Sequence, residues 1–127
     1  MQIVQFDEPG SPAVLRVAEV AWPEPGAGEI RVAAHSIGVG IPDVLIRSGA
    51  YSWMPPLPCT PGTEMSGTIS AVGVGVTAHR VGERVYVSAR ERPHRGGCYA
   101  QEIVVRAEEV HAIPDGADME AVAALAN

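Results

Sequence analysis

The sequence predicts a mainly β fold with many turns and a few short helices. Three observations carry this. First, 14 glycines and 11 prolines, about a fifth of the chain, punctuate it at close intervals. Second, short apolar runs such as Val85-Tyr86-Val87 and Ile103-Val104-Val105 lie between these breaks. Third, the longest run, Glu29–Val39, alternates with period two. Ile30, Val32 and Ala34 share one face and His35 falls on the other.

A length of 127 residues suits one domain with one core. Hydrophobic residues make up 46%, which argues against disorder. The net charge of −6 gives nucleic-acid binding no electrostatic support. No apolar run is long enough to span a membrane, and the N-terminus has no signal-peptide pattern. Cys59 and Cys98 are too few and too far apart for a zinc knuckle or a disulfide framework. A reduced, cytoplasmic setting follows as the expectation.

Taken in order, Met1–Phe6 reads as a short strand, Asp7–Pro12 as a turn-rich break, and Val14–Val20 as a second strand. Trp22–Gly26, with two prolines, is a stiff exposed connector before the Glu29–Val39 strand. A helix of about two turns follows between Gly40 and Gly49. Pro42 suits its first position, Asp43 its positive end and Gly49 its stop. Ala50–Pro56 is a loop carrying Tyr51 and Trp53.

The stretch Leu57–Gly75 organises the chain. Pro58 and Pro61 fix the approach, and Gly62 permits a tight bend. A strand starts at Thr63, with an acid, Glu64, just inside it. Ser66 and Gly67 let another backbone or a ligand come close, and Gly73 and Gly75 form the closing turn. Further strands are predicted at Gly82–Val87, Cys98–Val105 and Val110–Ile113, with a polar loop at Ala89–Gly97. Asp118 caps a last helix whose Met119, Val122, Ala123 and Ala126 share a face. That helix reaches Asn127 without a glycine terminator, as if the chain continued.

An ordered series of motifs now stands out. It runs Pro23-Glu24-Pro25-Gly26-Ala27-Gly28-Glu29, Gly38-Val39-Gly40-Ile41-Pro42-Asp43, Ile46-Arg47-Ser48-Gly49-Ala50-Tyr51 and Leu57-Pro58. It continues through Pro61-Gly62-Thr63-Glu64-Met65-Ser66-Gly67, Val72–Val76, Val81–Tyr86 and Gly96–Glu102 to Ile113-Pro114-Asp115-Gly116. The series resembles the N-terminal domain of the medium-chain dehydrogenase/reductase superfamily, and most of all its zeta-crystallin-type quinone oxidoreductase branch. The resemblance implies a GroES-like β-barrel with a few short helices over residues 1–127. Residues 118–127 would begin the helix leading to an absent Rossmann domain. That domain, in cis or in trans, would bind NADPH and complete the cleft. The acceptor would be a small quinone or conjugated carbonyl. Family members often pair through the missing domain, so homo-oligomers are also implied.

Departures from the family pattern are informative. Zinc-dependent members use Cys where this chain has Gly40 and His where it has Thr63. Nothing matches their four-cysteine lobe, so neither zinc nor another metal is expected. Quinone reductases usually place Asn at Gly40, and here only backbone groups remain.

The resemblance assigns Tyr51, Gly40 and Asp43 to catalysis, Thr63, Trp53 and Arg47 to the acceptor, and Gly40 and Tyr51 to cofactor contact. Each has a plainer reading. Tyr51 fits a half-buried loop phenol as well as a cleft hydrogen-bond donor. Asp43 can orient a cleft group or compensate the helix end. Glu64 fits a buried carboxylate held by backbone N–H groups or an arginine. Arg47 fits a surface ion pair. The basic loop Arg90–Arg95 can meet a phosphate or a charged substrate, or simply be solvated. His35, His79 and His111 have no partner visible in sequence.

Gly73-Val74-Gly75-Val76-Thr77-Ala78 matches G-x-G-x-x-A only formally, because a strand rather than a helix follows. No complete nucleotide-binding domain is therefore expected. The first functional expectation is the acceptor-side domain of a zinc-independent, NADPH-dependent reductase. The alternative is a stand-alone GroES-like binding or non-redox (cyclase or isomerase) domain, or half of a split reductase.

Overall fold

The computed structural model describes residues 1–125. It is mainly β, as composition and periodicity predict. A two-stranded ribbon pairs β1 (Gln2–Gln5) with β2 (Arg16–Glu19). The main sheet has five antiparallel strands: β3 (Glu29–Ile37), β4 (Glu64–Val72), β5 (Arg84–Ser88), β6 (Glu102–Arg106) and β7 (Val110–Ala112). Their spatial order is β6-β3-β4-β5-β7.

The core forms from the inward positions of these strands. Ile30 and Val32 of β3, Met65 and Ile69 of β4, and Val85 and Val87 of β5 are buried together with Ile103 and Val105 of β6. Met1 and Ile3 pack on the same cluster, so the ribbon covers part of the sheet. An isolated bridge ties Ile3 of the ribbon to Ala100, just before β6.

The predicted small residues of β4 allow close approach. A Cβ on Gly67 would collide with the carbonyl oxygen of Ala33 on β3. The β3–β4 register slips between Ala34 and Ser36, which leaves His35 as the extra, unpaired residue of a bulge. Its ring meets Ser36 Oγ at 2.9 Å rather than a more distant group. Across the opposite edge of β3, Arg31 Nε meets Glu102 Oε2 at 2.7 Å.

Helix α1 spans Ile41–Ser48. Gly40 stands just before it, so Pro42 takes the second helical position rather than the first. Gly49 stops it at φ 80°, as its lack of Cβ permits. Ile46 anchors the helix against Phe6 and Cys59 in a second, smaller core.

Some predicted boundaries move for clear physical reasons. The second strand opens with a 3-10 turn at Pro12–Val14, where proline denies the ladder a donor. The strand predicted from Cys98 begins only at Glu102. Residues Cys98 and Tyr99 instead give their amides to Gly62 and Pro61, lying against the bend rather than the sheet. The last helix, α2, spans Met119–Val122 and is capped by Asp118, which accepts from the Glu120 amide at 2.9 Å. Ser66 of β4 donates to the Met119 carbonyl at 2.6 Å and ties α2 to the sheet. Ala126 and Asn127 lie outside the described residues.

Candidate functional site

The site begins at the N-terminal end of α1. Gly40 has extended backbone (φ −135°), and its amide donates to Asp43 Oδ2 at 2.9 Å. Asp43 Oδ1 accepts from the Gly62 amide at 3.0 Å. Tyr99 gives the same carboxylate a side-chain hydrogen bond. One carboxylate thus joins the start of α1, the bend before β4 and the turn at Tyr99.

The bend is tight. Gly62 sits at φ 104°, and a Cβ there would lie 2.5 Å from the Tyr99 amide nitrogen. This explains the glycine between Pro61 and Thr63 in steric terms. Asp43 is 5% exposed, and burial raises its pKa above the usual carboxylate range. The Glu64 charge adds to the rise, while the Gly40, Gly62 and Tyr99 bonds oppose it. Burial, then the Asp43 charge, likewise raises the Tyr99 phenol.

Beside the bend, Thr63 is 3% exposed, and its carbonyl accepts the Ala89 amide at 2.8 Å. Glu64 is 2% exposed, and Tyr86 donates its hydroxyl to Oε2 at 3.0 Å. A phenol is therefore one partner of this buried acid. Glu64 also packs close under Gly38, where a Cβ would meet its Cγ at 2.5 Å. Sequence reasoning missed Tyr86 and Tyr99 as partners, because nothing local marks either tyrosine as facing a carboxylate.

A second group gathers past the C-terminal end of α1. Tyr51 packs on the Phe6, Ile46 and Cys59 cluster. Its ring meets Trp53 edge to face, with centroids 5.7 Å apart. Trp53 is 59% exposed, and the Arg95 guanidinium lies 4.3 Å from its ring centroid. The basic loop and the aromatic loop were each visible in sequence, but their contact was not. Arg47 is placed differently. Its guanidinium donates to the Gly10 carbonyl, and its own carbonyl accepts the Gly10 amide at 2.9 Å. It therefore braces the loop before β2, with no carboxylate partner among the described residues.

Two histidines gain partners invisible in sequence: His79 meets Glu83 at 3.1 Å and His111 meets Glu91 at 2.9 Å. Burial pushes the thiols of Cys59 and Cys98 up to about 11 and about 12, so both stay protonated at neutral pH. A groove of about 750 Å³ lies alongside, between the ribbon and β3, walled by Ile3, Val17, Trp22, His35, Val39 and Tyr99. It includes none of Gly40, Tyr51, Trp53 and Thr63.

The described residues do not fit the whole of a dinucleotide. The sheet is antiparallel throughout, and the Gly73–Gly75 turn leads to a strand, not a helix. At the start of α1, the Gly40 amide is already taken by the Asp43 carboxylate, whose charge repels a phosphate. No group of three His, Cys, Asp or Glu side chains is arranged to hold a metal ion among the described residues. No helix among them is long and apolar enough to cross a membrane.

Comparison with known proteins agrees with this architecture. Residues 26–115 match the alcohol dehydrogenase GroES-like domain. Human quinone oxidoreductase is 34% identical over 126 residues, covering 98% of this chain and 37% of that protein. The human synaptic vesicle membrane protein VAT-1 homolog is 35% identical over 111 residues, covering 87% of this chain and 27% of its own length. The solved structure of Escherichia coli quinone oxidoreductase complexed with NADPH superposes with a TM-score of 0.85 at 32% identity. It aligns with 97% of this chain, which covers 36% of that one. The chain thus spans no more than about two fifths of these relatives' length. It belongs to the alcohol dehydrogenase GroES-like domain family of the medium-chain dehydrogenase/reductase superfamily.

Proposed function

We propose that this chain forms the acceptor-side wall of a zinc-independent, NADPH-dependent reductase of quinones or conjugated carbonyls. The observation that carries this reading is the apolar rim around Gly40. Val39, Ile41 and Val44 stand exposed on either side of a backbone notch that Asp43 holds rigid. Such a rim suits a hydrophobic cover and a flat apolar ligand. Among the relatives, a quinone oxidoreductase structure contains NADPH.

NADPH would supply the hydride, bound by a Rossmann domain in cis or in trans. The residues of this chain would bind and orient the acceptor. The extended backbone at Gly40 lets a flat ring approach without a side chain in the way. Thr63, buried beside the Gly62 bend, would lie beneath the acceptor. The Tyr51 hydroxyl would donate a hydrogen bond to the acceptor oxygen, favouring the charge that develops there as hydride arrives. Asp43 would act through Gly40 and Gly62 as a positioning residue, since both its oxygens are occupied by their amides. Gly40 and Thr63 supply no side-chain nitrogen or sulfur for zinc.

The test is NADPH oxidation by the native-length protein with a panel of quinones and enones, after dialysis against a chelator. Turnover that survives chelation, and that falls about tenfold in kcat/KM for Tyr51→Phe, is the expected result. Turnover abolished by chelation and restored by stoichiometric zinc would overturn zinc independence. Binding of enones without any NADPH oxidation would favour the second reading, a non-redox or binding domain.

A further inference from the structure

We propose that Arg95, stacked on Trp53 beside Tyr51, selects acceptors that carry an anionic group next to a flat conjugated ring. The inference rests on the acceptor-wall reading above and names the class of acceptor.

The geometry leaves Arg95 ready for an anion. Its Cζ lies over the Trp53 ring, 4.3 Å from the centroid. A guanidinium held over a ring keeps N–H donors that match a carboxylate or sulfonate fork. Among the described residues no carboxylate forms an ion pair with it. The acid of its own loop, Glu91, is taken by His111 at 2.9 Å. Nearby Arg92 is turned inward and donates to the Gly96 carbonyl at 2.9 Å.

The loop around Arg95 is also held in place. The Gly97 amide donates to Thr60 and Pro61 carbonyls at 2.8 and 3.2 Å, and the Gly96 amide donates to His94 at 3.1 Å. Arg95 is therefore presented from a braced segment lying against the run that leads into Gly62 and Thr63. The indole and the Tyr51 phenol supply a half-exposed apolar corner, their ring planes inclined at 65°. Arg90, Arg92 and Arg95 sit within six residues of a chain whose net charge is −6. A positive focus on an otherwise acidic body draws anions to this rim and away from the rest of the surface.

The experiment compares naphthoquinone sulfonate with the parent naphthoquinone, using the native-length protein and saturating NADPH. We expect wild type to favour the sulfonate about tenfold in kcat/KM, with the preference shrinking as salt rises. Arg95→Gln should erase the preference by raising KM for the sulfonate, and Arg95→Lys should recover part of it. Equal losses on both quinones, or an unchanged preference in Arg95→Gln, would overturn the proposal. So would a raised KM for NADPH with that for NADH unaltered, which would assign Arg95 to the ribose phosphate.

A second measurement separates this proposal from the reading beneath it. By isothermal titration of the native-length protein, the sulfonate should bind saturably without NADPH, and more weakly in Arg95→Gln. If no quinone is reduced but this difference persists, the reductase reading fails and the anion site stands. If quinones are reduced but the difference is absent, the anion site alone fails.

Discussion

Asp43 Oδ1 accepts the Gly62 amide at 3.0 Å across 19 residues of chain, and in doing so fixes the bend of one element to the start of another. Its other oxygen takes the Gly40 amide at 2.9 Å. Replacing Asp43 by Asn turns one acceptor into an NH2 group that faces an amide donor. We expect Asp43→Asn to cost about 1 to 3 kcal/mol of stability, measured by urea unfolding. A cost close to zero would mean the carboxylate does not hold the two segments together.

The same carboxylate should imprint a pH dependence. Its folded pKa is raised by burial above the ordinary value of 3.8. The folded protein therefore retains a proton that the unfolded chain has released. The stability from the protonated group is full below the unfolded pKa and is lost as pH rises through the folded one. The deficit of Asp43→Asn relative to wild type should shrink as pH climbs through that window. Unfolding curves taken along a pH series would refute this if the deficit grew instead.

Gly62 makes a sharper steric case. Alanine there must adopt φ near 104° and bring its Cβ to 2.5 Å from the Tyr99 amide nitrogen. Both effects act together, so Gly62→Ala should destabilise by at least about 2 kcal/mol. Gly75, also at positive φ, has nothing within 4 Å of its Cβ position, so Gly75→Ala should cost less. Thermal melts of the two variants side by side provide the comparison. A smaller loss at Gly62 than at Gly75 would contradict the steric account.

The thiols offer a chemical check. Cys59 and Cys98 are buried, with pKa values pushed up to about 11 and about 12. Neither should react readily with a thiol reagent at pH 7, whereas both should react at once in urea. Rapid labelling of the folded protein would show that one of these positions opens to solvent.

Much of the architecture was legible because its causes are local. Asp118 as a cap, Gly49 as a stop and Gly62 as a bend each follow from the chemistry of a single residue. The Ile30, Val32, Val85 and Val87 core follows from alternation. The His35 bulge did not, because a bulge depends on how the neighbouring strand pairs and leaves no mark on periodicity. Within the candidate site, Gly40 and Asp43 were singled out together, and they do lie together. Their ties to Gly62 and Tyr99 were hidden, since those contacts exist only after residues far apart in sequence have packed. The same holds for Trp53 and Arg95, on two loops that sequence distinguishes but cannot place face to face.

The order of the main sheet has a consequence for how the chain is made. β3 lies between β4, which follows it soon in sequence, and β6, whose Arg106 pairs with Glu29. On the ribosome, β3 and β4 emerge and pair while one flank of β3 still has no neighbour. Until Arg106 clears the exit tunnel, that flank is a template for strands of other nascent copies. Slow translation before this point would therefore lower the soluble yield, and slow translation after it would not.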